Sequence, residues 1–538
     1  WRRWWQMDST VSRPRVAVVG SGLAGCTVGY LLQGRYDVSI FEKLPTYGAE
    51  AHSCTVDGLT IDMPYRATSA AFYPFLHTLV KNVGCDLVRC NWHMSFSVLG
   101  QSPYYQSARG LAPSLCSWDA LRSPFRLMRD AFECLRVSVQ AFRLMLIIRR
   151  DVRSGDASGM TFEQYLKWRR VSKTFAFSIL VPFLGIFAVC SPEAVLKYPA
   201  DVFLPFLAAM WGCPTEVLST WRGGLNHAPH KFSAKAGGIG SLVRRLTLGS
   251  AMHFSSEITG VDLTQQGVCL SVRNVVDNVA VTEEFDFVVF AGEARSTSAI
   301  LSNEPAFASA VRCLNRIPHE QARVVCHTDC RPAFIPARQR DYQPLNCILS
   351  ARNKAPTPCS VTCVVNDCDP ESKQGLQSTV LQTWNPLADV RPDTVLADAI
   401  FPRVVMTLES KDVLREIQEV HQGSQRIFFA GAWCTYSMPL LESAVVSALL
   451  VASRLVGPAS LPMDIGGLRW DDPATCLSSP HSVLRHNRST LCDAASAALA
   501  GSAWPAGKLH DLADVLSVVA AVFCSGAAGP WRWFSVSR

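Results

Sequence analysis

Apolar positions fall along this chain in three patterns. Short runs that are mostly apolar occur at residues 16–19 (VAVV), 37–42 (DVSIFE), 285–292 (FDFVVFAG) and 427–431 (IFFAG). Such runs predict strands buried on both faces of a parallel sheet. Shorter runs punctuated by turn residues fill 251–285 and 301–420, including ARVVCHTD, PCSVTCVVN and STVLQTW. They predict small strands and, over 301–420, an antiparallel second sheet. Helical spacing dominates 73–83, 120–235, the stretch after Lys235 and 441–455. At residues 57–58 an Asp-Gly pair between CTV and LTI marks a hairpin turn.

The pattern places a dinucleotide-type α/β domain in three pieces, at 14–75, 236–300 and 421–456. The run FDFVVFAG at 285–292 is expected to return to the sheet begun at 16–19. A helical region at 76–235 and a mixed-sheet region at 301–420 form a substrate domain. Residues 457–538 are rich in Ala, Ser, Gly and Pro and predict a largely disordered tail with one short helix near 511–524.

Two helical stretches carry alternative readings. Residues 175–190 (FAFSILVPFLGIFAVC) are strongly apolar but number only sixteen, with Pro182 near the middle. A bilayer span needs about twenty, so a buried helix broken at Pro182 and lining an apolar pocket is the expected form. Arg122, Arg129, Arg136, Arg143 and Arg150 recur every seven residues. On a helix they form one stripe, either a solvated face or a peripheral contact with an anionic membrane through 122–150.

Composition narrows the class. The 538 residues are 49% apolar and 18% charged, with a net charge of +7. That balance fits a large folded enzyme and excludes a nucleic-acid-binding chain. Part of the positive charge is local, because residues 122–153 hold eight arginines and three acids. Twenty cysteines are scattered without any C-x-x-C pair, so no metal site is expected and buried thiols are. No secretory signal is visible, which leads to the expectation of an intracellular, reducing compartment. The segment WRRWWQ before Met7 is set aside as an upstream remnant. His327 and Asp329 share a strand face and are expected to be structural.

The candidate chemistry lies in residues 15–43. After the first strand, Gly20, Gly22 and Gly25 complete a G-x-G-x-x-G turn, and Glu42 follows Gly22 by twenty residues. Gly20 permits the tight turn, Gly22 lets a diphosphate approach the main chain, and Gly25 lets the next helix pack close. The helix offers free N–H groups to the phosphates, and Glu42 can accept from ribose hydroxyls. A carboxylate there opposes a 2′-phosphate. These residues alone therefore point to an adenine dinucleotide of the FAD or NAD type. A second strand-to-helix junction at Gly431 can face the same ligand.

Three blocks, VAVVGSGLAG…SIFEK, HSCTVDGLTIDMPYR and IFFAGAW…LLESAVVSALLVA, with GGIGSLVRRL and FDFVVFAG between them, resemble the FAD-dependent amine oxidase and phytoene desaturase superfamily. The similarity is greatest to its branch linked with cyclopropane and branched fatty-acid metabolism. The resemblance implies a Rossmann-like FAD-binding domain, discontinuous in sequence, with a substrate domain of antiparallel sheet plus helices. It implies FAD held by Gly20, Ser21, Gly22, Leu23, Ala24, Gly25, Glu42, Lys43 and Gly48. Ile258 lies near the adenine, while Ala291, Gly292, Gly431, Ala432, Leu441 and Glu442 lie along the diphosphate, ribityl chain and ring. The chain departs from the branch at Gly48-Ala49-Glu50, Met63-Pro64-Tyr65 and Ser437 to Ser443, where the branch carries Gly-Gly-His, Thr-Gly-Phe and a histidine-containing loop.

The expected activity is hydride removal from a small apolar substrate, acyl-lipid or terpenoid-like, with Tyr436 and Glu442 as candidate catalytic residues. Two alternatives stand beside it. One is amine oxidation, with Trp433 and Tyr436 forming part of an aromatic cage. The other is a flavin-binding, membrane-associated protein without turnover. The residues specify no electron acceptor.

Overall fold

The computed structural model describes residues 13–106, 139–211, 229–352 and 356–472, except positions 142 and 146. The first strand, β1 (Arg15–Val19), leads through the glycine turn into helix α1 (Leu23–Leu32) and then β2 (Asp37–Phe41). Val16, Ala17 and Val18 are wholly buried, as a strand covered on both faces must be. Helix α2 (Pro74–Asn82) starts on a proline, whose missing N–H costs nothing in a first turn. Further along come β3 (Ala251–His253), β4 (Phe287–Phe290), α3 (Ala294–Leu301), β5 (Ile427–Phe429) and α4 (Leu441–Val456).

The five strands form one sheet in the order β3-β2-β1-β4-β5, and every pair is parallel. This is the doubly wound order, which reverses direction between β1 and β4. The carboxyl ends of those two strands, Val19 and Phe290, are register partners. The sheet therefore opens a crevice where Gly20 and Ala291-Gly292 leave it. The expected return of the run at 285–292 to the first sheet is met by its residues 287–290.

A three-stranded antiparallel insert, residues 256–285, links β3 to β4. Opposite the parallel sheet lies a seven-stranded sheet, ordered Val395–Val404, His319–His327, Leu381–Trp384, Cys359–Val364, Leu345–Leu349, Met94–Val98, Tyr105–Gln106. Its pairs are antiparallel except Leu345–Leu349 against Met94–Val98. The last two strands come from the stretch expected to be helical, because five buried residues at 94–98 form an edge-ward continuation of the later sheet. The Asp57-Gly58 hairpin is present, with both residues at positive φ (50° and 77°). That conformation is the two-residue turn whose twist suits paired strands.

The apolar segment 175–190 is buried and helical. A π turn at Ala176–Leu180 precedes the helix Val181–Ala188, which takes Pro182 in its first turn. The extra residue of the π turn relieves the clash a proline ring makes inside regular helix. Among the described residues, no helix is long and apolar enough to cross a membrane. Of the arginine stripe, Arg122, Arg129 and Arg136 lie outside the described residues. Arg143 and Arg150 are exposed on a helical stretch ending at 154. The tail was expected to leave the fold at 457, yet Met463 is buried and the Trp470 carbonyl accepts from the Tyr436 amide (2.7 Å). Residues 473–538, with the expected helix at 511–524, lie outside the described residues.

His327 and Asp329 are both fully buried. His327 Nε2 pairs with Thr383 Oγ1 at 2.8 Å, and Asp329 binds Arg331. Asp329 is held at about 2, since its hydrogen bonds to Arg331 and the Arg391 amide outweigh its desolvation. Among the described residues the cysteines are free thiols, most of them buried.

Candidate dinucleotide site

The crevice at the sheet's reversal widens into a cavity of about 750 Å³ that reaches the seven-stranded sheet. Its floor is the glycine turn. Gly20 has φ +105°, and its N–H donates to the Phe41 carbonyl (2.8 Å). A Cβ on Gly25 would stand 2.0 Å from the Gly20 carbonyl oxygen, so α1 can lie on β1 only without a side chain there. At Gly22 a Cβ would meet nothing within 4 Å, and the same holds at Gly292. The open faces of both glycines border the cavity. Gly22 is also the N-cap of α1 and places no side chain on the first-turn amides, which leaves those donors for an anion.

Glu42 is buried at the edge of this floor. Its Oε2 accepts from Ser21 N (2.9 Å) and Ser21 Oγ (2.7 Å), and its Oε1 accepts from Leu44 N (3.1 Å). A carboxylate has about four acceptor positions, so Oε1 keeps one for a ligand hydroxyl. Gly48 donates its N–H to Ser21 Oγ (2.8 Å), closing the loop over the turn. The second junction is pinned by Trp433, whose Nε1 donates to the Gly292 carbonyl (3.0 Å), while the Gly431 amide donates to Ser447 Oγ (2.9 Å).

Of the residues expected to hold the cofactor, Gly20, Gly22, Leu23, Ala24, Glu42, Lys43, Gly48, Ile258, Ala291, Gly292, Gly431, Ala432 and Leu441 border the cavity. Ser21, Gly25 and Glu442 do not. Ser21 serves Glu42, and Gly25 serves packing. Glu442 faces the other way. Its two oxygens accept from the amides of Phe75 (2.9 Å) and Leu76 (3.0 Å), so it caps α2. Burial pushes its pKa up to about 8, against the pull of those two amides. Tyr436 is equally withdrawn: it is buried, and its hydroxyl donates to Asp201 Oδ1 (3.0 Å). Neither candidate catalytic residue borders the cavity.

The cavity walls hold residues that no motif signalled. Trp433, expected only as part of an aromatic cage with Tyr436, borders the cavity without it. His52 and Phe401 meet edge to face at 4.9 Å. Trp384, Leu345, Ile186, Phe187 and Val189 form an apolar part of the wall, and Arg66 and Arg403 border the same cavity. The expectation that segment 175–190 lines an apolar pocket is met by its last turn. Glu50, at one of the departures from the branch, is turned to an ion pair with Arg244 (2.9 Å). Away from the cavity, Cys313, Glu416 and His421 bring potential ligand atoms within 4.8 Å of one another.

Comparison with known proteins agrees with this geometry. Residues 18–82 match a family model described as an NAD(P)-binding Rossmann-like domain. The fold as a whole is similar to an oxidoreductase from Methanosarcina mazei, at 13% identity and a TM-score of 0.54, covering 81% of this chain and 99% of that one. It is similar also to a protein from Exiguobacterium sp. 255-15 that is provisionally named a protoporphyrinogen oxidase (14%, TM-score 0.54, 84% and 99%). A third likeness is to a CLA-producing fatty acid isomerase from P. acnes (13%, TM-score 0.52, 82% and 99%). No curated protein matches the chain. These likenesses establish the fold: a Rossmann-like NAD(P)-binding type of domain joined to a sheet-bearing second domain.

Proposed function

We propose that the protein is an FAD-dependent oxidoreductase that removes hydride from an apolar substrate, acyl-lipid or terpenoid-like. One observation carries the reading: the side-chain-free faces of Gly22 and Gly292, the uncapped start of α1 and the apolar part of the wall all border a single cavity. The first three suit a dinucleotide diphosphate. The last suits a hydrocarbon body. The likeness of fold to a fatty acid isomerase is consistent with that body.

In this reading the α1 amides and Gly22 hold the diphosphate, Glu42 takes a ribose hydroxyl, and Ser256 to Ile258 flank the adenine end. The start of α4 lies at the opposite end, where Leu441 and Ala444 border the cavity and Leu440 offers no side-chain cap. Bound flavin supplies a hydride acceptor at its N5 edge. The chain's own part is to orient the substrate bond and exclude water with Trp384, Phe401 and Phe187. Amine oxidation fits less well. Tyr436 is tied to Asp201 outside the cavity, and Arg66 and Arg403 present positive charge where an ammonium would sit.

The test is the absorption spectrum of the purified protein, followed by anaerobic addition of a candidate acyl lipid. A flavin spectrum that bleaches on addition supports the proposal. A protein that stays colourless after refolding with excess FAD overturns it, and a flavin that never bleaches with any acyl lipid removes the substrate class.

A further inference from the structure

Two guanidinium groups border the cavity with scarcely any protein acceptor. Arg66 Nη2 donates to the Ala49 carbonyl (2.8 Å), and Arg403 Nη2 donates to the Pro439 carbonyl (3.3 Å). Each guanidinium carries five N–H donors. The Nε of each is sealed from solvent and has no acceptor. Among the described residues, no carboxylate lies within 4.0 Å of either. The nearby acids are engaged elsewhere: Asp62 accepts from the Ile239 amide and Ser53 Oγ, and Glu320, the register partner of Arg403, accepts from the Ser191 amide.

The two charges also act on each other. Desolvation lowers both pKa values; the Asp62 carboxylate, beyond ion-pair distance, draws that of Arg66 part of the way back, and the charge of Arg403 lowers it again. Arginine does not escape by losing its proton. Two unpaired cations in one interior wall are unfavourable unless an anion completes them.

That anion has two possible sources, the cofactor's diphosphate and an acid group on the substrate. The diphosphate already has a place at the glycine turn and the start of α1. The same cavity has an apolar part of its wall in Phe401, Trp384, Leu345 and Ile186. Resting on the reading of this cavity as a flavin oxidoreductase site, we infer that Arg66 and Arg403 form a carboxylate-binding subsite that anchors the acidic head of a long-chain apolar substrate. Two planar forks suit a carboxylate, which accepts paired N–H donors. Fixing one end of a chain decides which of its carbons reaches the hydride acceptor, so the subsite also sets the position of reaction.

The experiment uses the full chain as purified, with oleate and oleyl alcohol as probes. They share a hydrocarbon body and differ only in the head. Binding is read from perturbation of the flavin spectrum and from quenching of tryptophan fluorescence. The wild type should bind oleate at least tenfold more tightly than the alcohol. Arg66→Gln and Arg403→Gln should each erase that preference while flavin content stays at the wild-type level, and Arg403→Lys should restore part of it. Equal affinity of the wild type for both probes overturns the inference. So does loss of flavin in folded variants that keep the oleate preference, which would assign the pair to the diphosphate. A colourless wild type that still prefers oleate by fluorescence would refute the flavin reading and leave the subsite standing. Should the Gln variants fail to fold, the wild-type probe pair and the Lys variant decide the matter.

Discussion

Replacing Gly22 by alanine separates the needs of the cofactor from those of the fold. Gly22 has φ −65° and ψ 174°, a conformation open to any residue. An added Cβ meets no heavy atom within 4 Å. The free protein should therefore keep its stability, with a gain of up to ~1 kcal/mol from the stiffer unfolded chain. The dinucleotide should not fare as well, because the methyl group points into the cavity where a diphosphate approaches the main chain. Overpacking costs about 1–3 kcal/mol, and a lost charge-assisted hydrogen bond to an α1 amide adds about 1.5–3 kcal/mol. Together these weaken binding by roughly two to four orders of magnitude. The assay is flavin content per mole of purified protein for the wild type, Gly22→Ala and Gly22→Val, with the melting temperature of each cofactor-free form beside it. Full flavin occupancy in Gly22→Ala would refute the placement of the diphosphate. A fall of more than a few degrees in the cofactor-free melt would refute the open face at Gly22.

Gly25→Ala should do the opposite, destroying the fold before the site, because its Cβ would lie 2.0 Å from the Gly20 carbonyl oxygen; soluble protein with a native melt would contradict this. Glu442, raised from 4.5 to about 8 in the fold, should make stability fall as pH rises between those values, by about 1.4 kcal/mol per pH unit and on the order of 5 kcal/mol in all. Below pH ~4.5 both states are protonated and the loss vanishes; Glu442→Gln should flatten the denaturation profile across that window, and an unchanged slope would count against the assignment. Lys231 Nζ lies 2.7 Å from Asp369 Oδ2, with side chains 8% and 0% exposed. Lys231→Met should cost about 3–5 kcal/mol by stranding the buried carboxylate, and Asp369→Asn added to it should recover part of that loss in a urea titration.

The parallel sheet was legible because each of its longer strands is a mostly apolar run, and a glycine turn of fixed spacing follows the first. The Asp57-Gly58 hairpin was legible for a similar reason, since only a few residue pairs tolerate positive φ twice in succession. The strand Met94–Val98 was not. Its near partner, Tyr105–Gln106, is only two residues long, and its main partner in the sheet lies some 250 positions later. Glu442 shows a finer limit. Successive residues on a helix point about 100° apart, so Leu441 borders the cavity while Glu442 reaches across to α2. The sequence places both at the same junction and says nothing of that rotation. Arg66 and Arg403 were invisible for another reason. An isolated arginine reads as surface, and only the packing of two distant segments brings the pair to one wall.

The order β3-β2-β1-β4-β5 also sets a timetable. Of the two strands beside β1, β2 follows at once but β4 is made some 270 residues later, and β5 and α4 come last. During synthesis the emerging polypeptide carries a glycine loop with no opposite bank until β4 and Ala291-Gly292 emerge, and without its second junction until β5. At about 5–20 residues per second, the interval between β4 and β5 alone lasts on the order of ten seconds. Coenzyme capture is thus a closing event of biogenesis, and a ribosome stalled before residue 427 holds a half-built vessel that can retain nothing.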